Sequence, residues 1–205
     1  MKIISITRLG GKYEKFCAAF DDGEEIRVSA AQIADYDLYP GRELSDGEIS
    51  DLRSALQLSS SKARALRILG SRNLSAAEVS RRLVSRGVDA AVADETVEWL
   101  EDLGAVDDAG YAILIVNHYL AKGYGLARIR DELFRRGIPR DMWEDALAGV
   151  EGFGEAALEF LEKKLKGGSD KDELRKAAEA LRRRGFSYTE ASEAINTYLG
   201  KCDAE

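Results

Sequence analysis

Histidine occurs once in these 205 residues, and proline and cysteine twice each. Each scarcity excludes something. Pro40 and Pro139 leave long stretches free of helix breakers, so helices can run without interruption. Cys17 and Cys202 match no metal-ligand spacing, and a disulfide between them would be unexpected in a reducing compartment. His118 is accompanied by no Ser or Cys nucleophile motif, so acid–base or nucleophilic catalysis has little to work with. The expectation is a protein that is not an enzyme and needs neither cofactor nor metal. No apolar run approaches the ~20 residues that cross a membrane. The opening MKIISITRLGG is too polar-flanked for a signal peptide, so a cytoplasmic protein is expected, and it is expected to be a monomer.

What is present is a helical, soluble composition: 45% hydrophobic and 33% charged residues. With 30 basic and 37 acidic side chains the net charge is −7, which argues against coating nucleic acid by charge alone. The distribution is uneven. Residues 1–60 hold 7 basic and 11 acidic side chains, whereas residues 111–151 hold 6 of each. Four arginines (Arg128, Arg130, Arg135 and Arg136) share one predicted helix, which leaves room for a locally basic face.

The first residues read as short strands, KIISITRL, YEKFCAAF and EEIRV, with Asp22-Gly23 as a two-residue hairpin turn. So small a sheet needs a helix to pack on. Ser45 and Glu48 form a capping box that starts such a helix, running to about Leu58, and QLSSSKA reads as a hinge after it.

Beyond that point one phrase occurs three times: LVSRGV from Leu83, LFRRGI from Leu133 and LRRRGF from Leu181, spaced by 50 and 48 residues. A nearly constant period signals tandem repeats. Each copy closes a helical pattern, so Gly87, Gly137 and Gly185 read as helix C-caps, with the preceding Arg at the negative end of the helix dipole. Ser75 with Glu78 and Ser187 with Glu190 form two further capping boxes, and Pro139 suits a first helical turn. In each third helix, ten and thirteen residues beyond the glycine, apolar side chains recur at Val97 and Leu100, Leu147 and Val150, and Ile195 and Tyr198. Ala112, Ile115, Val116, Tyr119 and Leu120 make one apolar stripe. Ile113 and Leu114 lie off it, so that helix is expected to be contacted on more than one side.

The predicted fold class is therefore mainly α: three tandem three-helix repeats, helix-turn-helix-like and elongated, preceded by a small antiparallel β segment and a linking helix. Four segments are expected: residues 1–58, with the strands and a helix, then repeats at 59–108, 109–151 and 152–205. Solenoids of this kind present long surfaces to their partners.

Candidates for chemistry are few. Gly123-Tyr124-Gly125 follows a helix and lacks the lysine of a phosphate loop, so it reads as an interhelical turn. Asp107-Asp108 reads as a helix cap at a repeat junction. The recurring feature is arginine in the second helices: Arg81, Arg82 and Arg86, then Arg128, Arg130, Arg135 and Arg136, then Arg175, Arg182, Arg183 and Arg184. These could bind a partner or form a solvated ion-paired face, because Arg128 with Glu132, Asp131 with Arg135, Glu132 with Arg136 and Glu179 with Arg183 are four apart.

Four segments in series, LSAAEVSRRLVSRGV, LEDLGAVDDAGYA, KGYGLARIRDELFRRGI and ALRRRGFSYTEASEAI, resemble the RecX family of bacterial regulators of the RecA recombinase. The likeness covers about residues 60–200, and the first residues look like the strand-containing extension of longer members. It implies three tandem three-helix units lying in the groove of the RecA filament on single-stranded DNA. It also implies inhibition of ATP hydrolysis, strand exchange and coprotease activity in recombination, repair and the SOS response. The candidate contact residues are Arg81, Arg82, Lys122, Arg128, Arg135, Arg136, Arg182 and Arg183. This chain departs from the family where basic residues often follow the Tyr-Ala pair: Ile113, Asn117, Tyr119 and Ala121 are neutral and only Lys122 remains. Arg128, Arg135 and Arg136 are the preferred contacts, and their joint change to Ala is expected to weaken filament association with helicity and melting intact. Two other readings are a protein-binding helical scaffold and a helix-turn-helix transcription regulator. The latter is disfavoured by third helices as acidic as ADETVEWLEDLG.

Overall fold

A computed structural model describes residues 1–10, 15–70, 72–148, 152–168 and 170–202. Its internal contacts divide the chain into two compact units, Met1–Leu66 and Arg67–Glu205.

In the first unit β1 (Ile3–Leu9), β2 (Lys15–Phe20) and β3 (Glu25–Ser29) form an antiparallel sheet in the order β1-β2-β3. Tyr13 and Glu14, expected in the second strand, lie outside the described residues. The hairpin between β2 and β3 has a three-residue loop, Asp21-Asp22-Gly23, and not the two-residue turn expected: the Phe20 amide donates to the Glu24 carbonyl at 2.9 Å, and Gly23 takes φ 87°. A three-residue loop closed by a left-handed glycine is the next most favoured hairpin connection. One face of the sheet buries Ile3, Ala18, Phe20, Ile26 and Val28 together with Ile49 and Leu52 of α2 (Asp46–Leu69), so the sheet does pack on the helix that follows. Ser45 and Glu48 cap that helix reciprocally, as the sequence predicts.

Two features of this region depart from expectation. A short helix, α1 (Ala30–Asp35), starts at a capping box formed by Ser29 and Gln32, a glutamine version of the motif. The hinge expected at Gln57–Ala63 is absent, since α2 runs through it without a break. Serine is a middling helix former, and Ser61 is only 1% exposed.

Among its described residues the second unit is built of helices and the turns that join them. After α2 come α3 (Ala76–Val84), α4 (Ala90–Asp102), α5 (Asp108–Ala121), α6 (Leu126–Arg136), α7 (Asp141–Ala148), α8 (Phe153–Leu165), α9 (Lys171–Arg183) and α10 (Tyr188–Cys202). The repeated phrase ends α3, α6 and α9 in the same way. Gly87, Gly137 and Gly185 take φ of 82°, 76° and 93°. The next amide, on Val88, Ile138 or Phe186, donates back to the carbonyl of Leu83, Leu133 or Leu181 at 3.1, 3.0 and 3.2 Å. This is the Schellman closure, in which a left-handed residue lets the chain turn back onto the last helical carbonyls. The leucines are fully buried, and Ile138 and Phe186 nearly so, which supplies the accompanying apolar contact.

The stripe and register expectations hold with one change. Val97, Leu100, Ala112, Ile115, Val116 and Tyr198 are buried, whereas Val150 lies outside the described residues. Helices α6, α7 and α8 all pack on α5, yet Ile113 and Leu114 stay 48% and 52% exposed. Phe153 packs against both the α5–α7 core and the α8–α10 core, so those two copies share an apolar side chain.

The motif glycines do more than cap. A Cβ on Gly137 would stand 2.6 Å from Ala77 Cβ near the start of α3, and one on Gly185 would stand 2.6 Å from Arg128 Cβ and closer still to the Arg128 amide near the start of α6. The second helices therefore meet end to start: the end of α6 against the start of α3, and the end of α9 against the start of α6. A Cβ on Gly87, by contrast, meets nothing within 4 Å. We expect Gly87→Ala to cost about 1–2 kcal/mol through its left-handed backbone alone. Gly185→Ala adds a clash with backbone atoms and is expected to cost a further ~1–3 kcal/mol. Urea denaturation of the two variants measures the difference; equal costs would remove the junction role of Gly185.

Candidate recognition surface and repeat junctions

The arginines divide into those tied up in the junctions and those left at the surface. At the first junction Ser75, fully buried, caps α3 by accepting from the Glu78 amide at 3.0 Å and donates its own hydroxyl proton to the Arg136 carbonyl at the end of α6. Arg136 closes the contact with its side chain. Its Nε donates to Glu132 Oε1 at 2.7 Å, its Nη1 donates to the Tyr111 hydroxyl at 2.8 Å, and Nη1 lies 3.5 Å from Glu78 Oε1 on α3. Asp107 caps α5 by accepting from Gly110, as predicted, while Asp108 accepts from the Ala76 amide at 2.9 Å and so caps α3 in the preceding copy.

The second junction repeats the plan with different atoms. Fifty residues after Ser75, the Gly125 amide donates to the Arg184 carbonyl at 2.9 Å, and Ala127 donates to the Gly185 carbonyl at 3.1 Å. A Cβ on Gly125 would stand 2.5 Å from the Gly185 carbonyl, so only glycine admits this approach. Gly123-Tyr124-Gly125 is thus the interhelical turn expected, and part of a junction as well. Arg184 donates to the carbonyls of Lys122 and Gly123 at 3.0 and 3.2 Å, and its guanidinium carbon lies 4.5 Å from the Phe160 ring centre and 5.2 Å from that of Tyr124. Cation–π contacts of this kind strengthen where water is excluded.

Two carboxyls at the first junction are displaced in opposite directions. Burial pushes Glu132 up, but the Arg136 guanidinium, the Tyr119 hydroxyl and Arg135 outweigh it and hold the group below its usual range. Burial also pushes Asp108 up, and the Ala76 amide opposes this only in part while Asp107 and Glu78 add to it. Glu132 is therefore a working anion within a structural network, and Asp108 a cap held at some cost.

The surface of the second unit shows what remains available. Arg81 donates to the Arg135 and Arg136 carbonyls at 3.4 Å yet is exposed. Arg130, Arg182, Arg183 and Lys122 are exposed, Arg82 and Arg128 half-buried, and the Arg135 side chain is 66% exposed with one arm on Glu132 at 3.3 Å. Of the ion pairs anticipated, Glu132 with Arg136 forms, and Glu179 takes Arg175 at 3.3 Å. His118 is exposed beside Tyr119, in the lining of an open groove of about 620 Å³ that also touches Tyr111 and Arg136. Among the described residues no group of three or more His, Cys, Asp and Glu could hold a metal, and no helix is long and apolar enough to cross a membrane.

This helical pattern has close counterparts. Residues 62–100 match the model of the first three-helix domain of RecX and residues 107–147 that of the second. The regulatory protein RecX of Xanthomonas axonopodis pv. citri (strain 306) is 36% identical over 126 residues, which span 60% of this chain and 78% of that protein. The chain belongs to the RecX family. The regulatory protein RecX of Lacticaseibacillus paracasei is 27% identical over 208 residues, covering 98% of this chain and 85% of its own length. A crystal structure of regulatory protein RecX superposes with TM-score 0.76 at 19% identity over 95% of this chain and 98% of the other, which establishes likeness of fold. RecX from Lactobacillus salivarius superposes with TM-score 0.63 at 25% identity over 74% and 99%. The relatives thus carry a regulatory name over both the strand-bearing and the helical parts of the chain.

The expectation that Arg136 can be removed without loss of stability does not survive the geometry. At 29% side-chain exposure it bridges two copies, and its removal leaves a Glu132 carboxylate that is 5% exposed with only Arg135 and the Tyr119 hydroxyl to hold it. Sequence reasoning had the i to i+4 pair but not Glu78, Tyr111 or Ser75, whose contribution is visible only as a recurrence of Arg before Gly. We expect Arg136→Ala to destabilise by about 2 kcal/mol, the cost of removing the main partner of a buried carboxylate together with the bridge to Glu78 and Tyr111, and Arg135→Ala by under ~1 kcal/mol. Because the Glu132 carboxyl is depressed in the folded state, its stabilisation is complete above the unfolded value of about 4.3 and is lost as pH falls through and below it. Glu132→Gln is therefore expected to destabilise at pH 7 and to flatten the acid limb of a melting-temperature profile. Asp108→Asn, which removes a group whose raised value opposes ionisation, is expected to leave stability at pH 7 unchanged or higher.

Proposed function

We propose that this protein regulates a RecA-type recombinase by binding its filament on single-stranded DNA, lowering ATP hydrolysis, strand exchange and coprotease activity. The observation that carries the reading is the placement of the second helices, docked end to start so that exposed arginines of successive copies are fixed relative to one another, in a chain of the RecX family. A regular array suits a regular polymer, because each copy can meet an equivalent place on it. The contact residues proposed are Arg81, Arg82, Lys122, Arg128, Arg135, Arg182 and Arg183. Arg136 contributes by holding the array together. The protein acts by occupancy alone and carries out no chemistry of its own, in the cytoplasm and as a monomer.

The test is the rate of ATP hydrolysis by RecA from the same organism on single-stranded DNA, titrated with this protein from far below to above equimolar. A fall at substoichiometric amounts is expected, since blocking one growing end arrests many subunits. An unchanged rate at excess, on filaments shown to be active, would set the reading aside in favour of a protein-binding scaffold without effect on the recombinase.

A further inference from the structure

Leu114, expected to be covered, is 52% exposed and stands where two open hollows meet. The larger, about 620 Å³, is the groove lined by His118, Tyr119 and Arg136; the smaller, about 400 Å³, is lined by Leu74, Gly104 and Ala105. Asn73, Tyr111 and Leu114 line both, so one furrow follows α5. From Tyr111 to Tyr119 it extends ~12 Å at the helical rise. Both phenols are tied at their hydroxyl ends, Tyr111 accepting from Arg136 and Tyr119 donating to Glu132, which fixes the two rings in place. Asn73 and Asn117 are exposed, and their amides make no hydrogen bond among the described residues. Among those residues no carboxylate lines the larger hollow. Behind it Glu78 and Glu132, with side chains 14% and 5% exposed, are taken by Arg136 and Arg135. Cations are felt at both ends. Burial pushes the Tyr111 phenol up while Arg136 and Arg72 pull against it, and burial and Glu132 push Tyr119 up while Arg136 and Arg128 pull against it. Neither Arg72 nor Arg128 makes an ion pair among the described residues.

We propose that this furrow is a binding site for single-stranded nucleic acid, in which unstacked bases lie against Tyr111, Leu114, His118 and Tyr119 while Arg72 and Arg128 take the phosphates on either side. Fixed aromatic rings interleaved with unneutralised arginines are what a single strand requires, because every base has a π-face and every link a charge. The amides of Asn73 and Asn117 offer donors and an acceptor each, the complement of a base edge. A helical peptide fits less well. It needs a row of apolar anchor sites, and the larger hollow has only Leu114 and Ile115 as aliphatic lining, of which Ile115 is 5% exposed. The site stands independently of the filament reading and adds to it a direct hold on the strand that a recombinase coats.

The test is fluorescence anisotropy of the full chain with a labelled oligothymidylate and with an abasic strand of the same length, with no recombinase present. The abasic strand keeps the phosphates and loses the rings, and is expected to bind at least about tenfold more weakly. Leu114→Glu, which sets a carboxylate in the furrow, and Tyr119→Leu, which removes a ring, are each expected to weaken oligothymidylate binding at least about tenfold. Asn117→Ala should cost about threefold, and Tyr119→Phe should keep wild-type affinity. Arg72→Glu should weaken both strands alike and lower the salt dependence. Leu114, Asn117 and Arg72 are exposed, so those three variants are expected to melt with the wild type; if Tyr119→Leu melts early, Leu114→Glu decides. Equal affinity for the two strands overturns the site by leaving phosphates as the only contact. Wild-type affinity in both Leu114→Glu and Asn117→Ala overturns it by placing the strand elsewhere. No binding of oligothymidylate by the wild-type chain at low salt also overturns it and gives the furrow to a protein partner. An unchanged rate of ATP hydrolysis by the recombinase removes the filament reading and leaves this result as it stands.

Discussion

The last turn of a helix leaves carbonyls without intrahelical partners. In this protein the carbonyls at the ends of α6 and α9 are satisfied by the start of the second helix one copy earlier. Ser75 donates to Arg136, and Gly125 and Ala127 donate to Arg184 and Gly185. The same contact sets the positive end of one helix dipole on the negative end of another, so alignment adds to hydrogen bonding. It requires a chain that turns sharply and has no side chain where the backbones touch, which glycine supplies. It also requires a group to occupy the space around the joint. Arg136 and Arg184 do this with different partners, carboxylates and a phenol in one case, carbonyls and aromatic faces in the other.

Much of this was legible because helix endings are local. The phrase Leu-x-x-Arg-Gly-apolar encodes a Schellman closure within six residues, and the Ser-x-x-Glu boxes at Ser45, Ser75 and Ser187 encode helix starts within four. The misjudged features are those in which competing local preferences were close or distant residues decided. Gln57 to Ala63 reads as a hinge on composition, yet three serines together cost a helix only tenths of a kcal/mol each relative to better formers. The Ser29–Gln32 box places glutamine where glutamate is usual, which weakens its signal. The role of Arg136 depends on Glu78, 58 positions away in sequence, and a spacing rule confined to one helix could reveal only its partner Glu132.

The arginine question resolves into two populations with one composition. An arginine immediately before the glycine lies where its own helix ends against the preceding copy, so it is drawn inward at Arg136 and Arg184. Arg130, Arg135, Arg175, Arg182 and Arg183 are exposed, and of these Arg135 is shared with the buried Glu132 and Arg175 with Asp172 and Glu179, while Arg128 is half-buried. The net charge of −7 is thus a poor guide to what the surface offers, because Arg136 is taken up by Glu132 and Glu78 in the first joint and Arg184 by carbonyls and rings in the second. Counting arginines along a helix overstates the charge available to a partner, and the overstatement is largest where the repeats meet.

Position by position, the copies agree where they hold one another and differ where they face outward. The buried leucine and the glycine occur in all three, and the residue after the leucine is Val84, Phe134 and Arg182 in turn. All three of these side chains are exposed, so nothing in the packing requires them to differ or to agree. An array built this way separates the constraint of staying assembled from the choice of what to present. Any partner that reads successive copies therefore meets an aliphatic, an aromatic and a cationic residue in order. End-to-start docking already gives the array a direction, and this order makes its successive copies chemically distinct to whatever meets them.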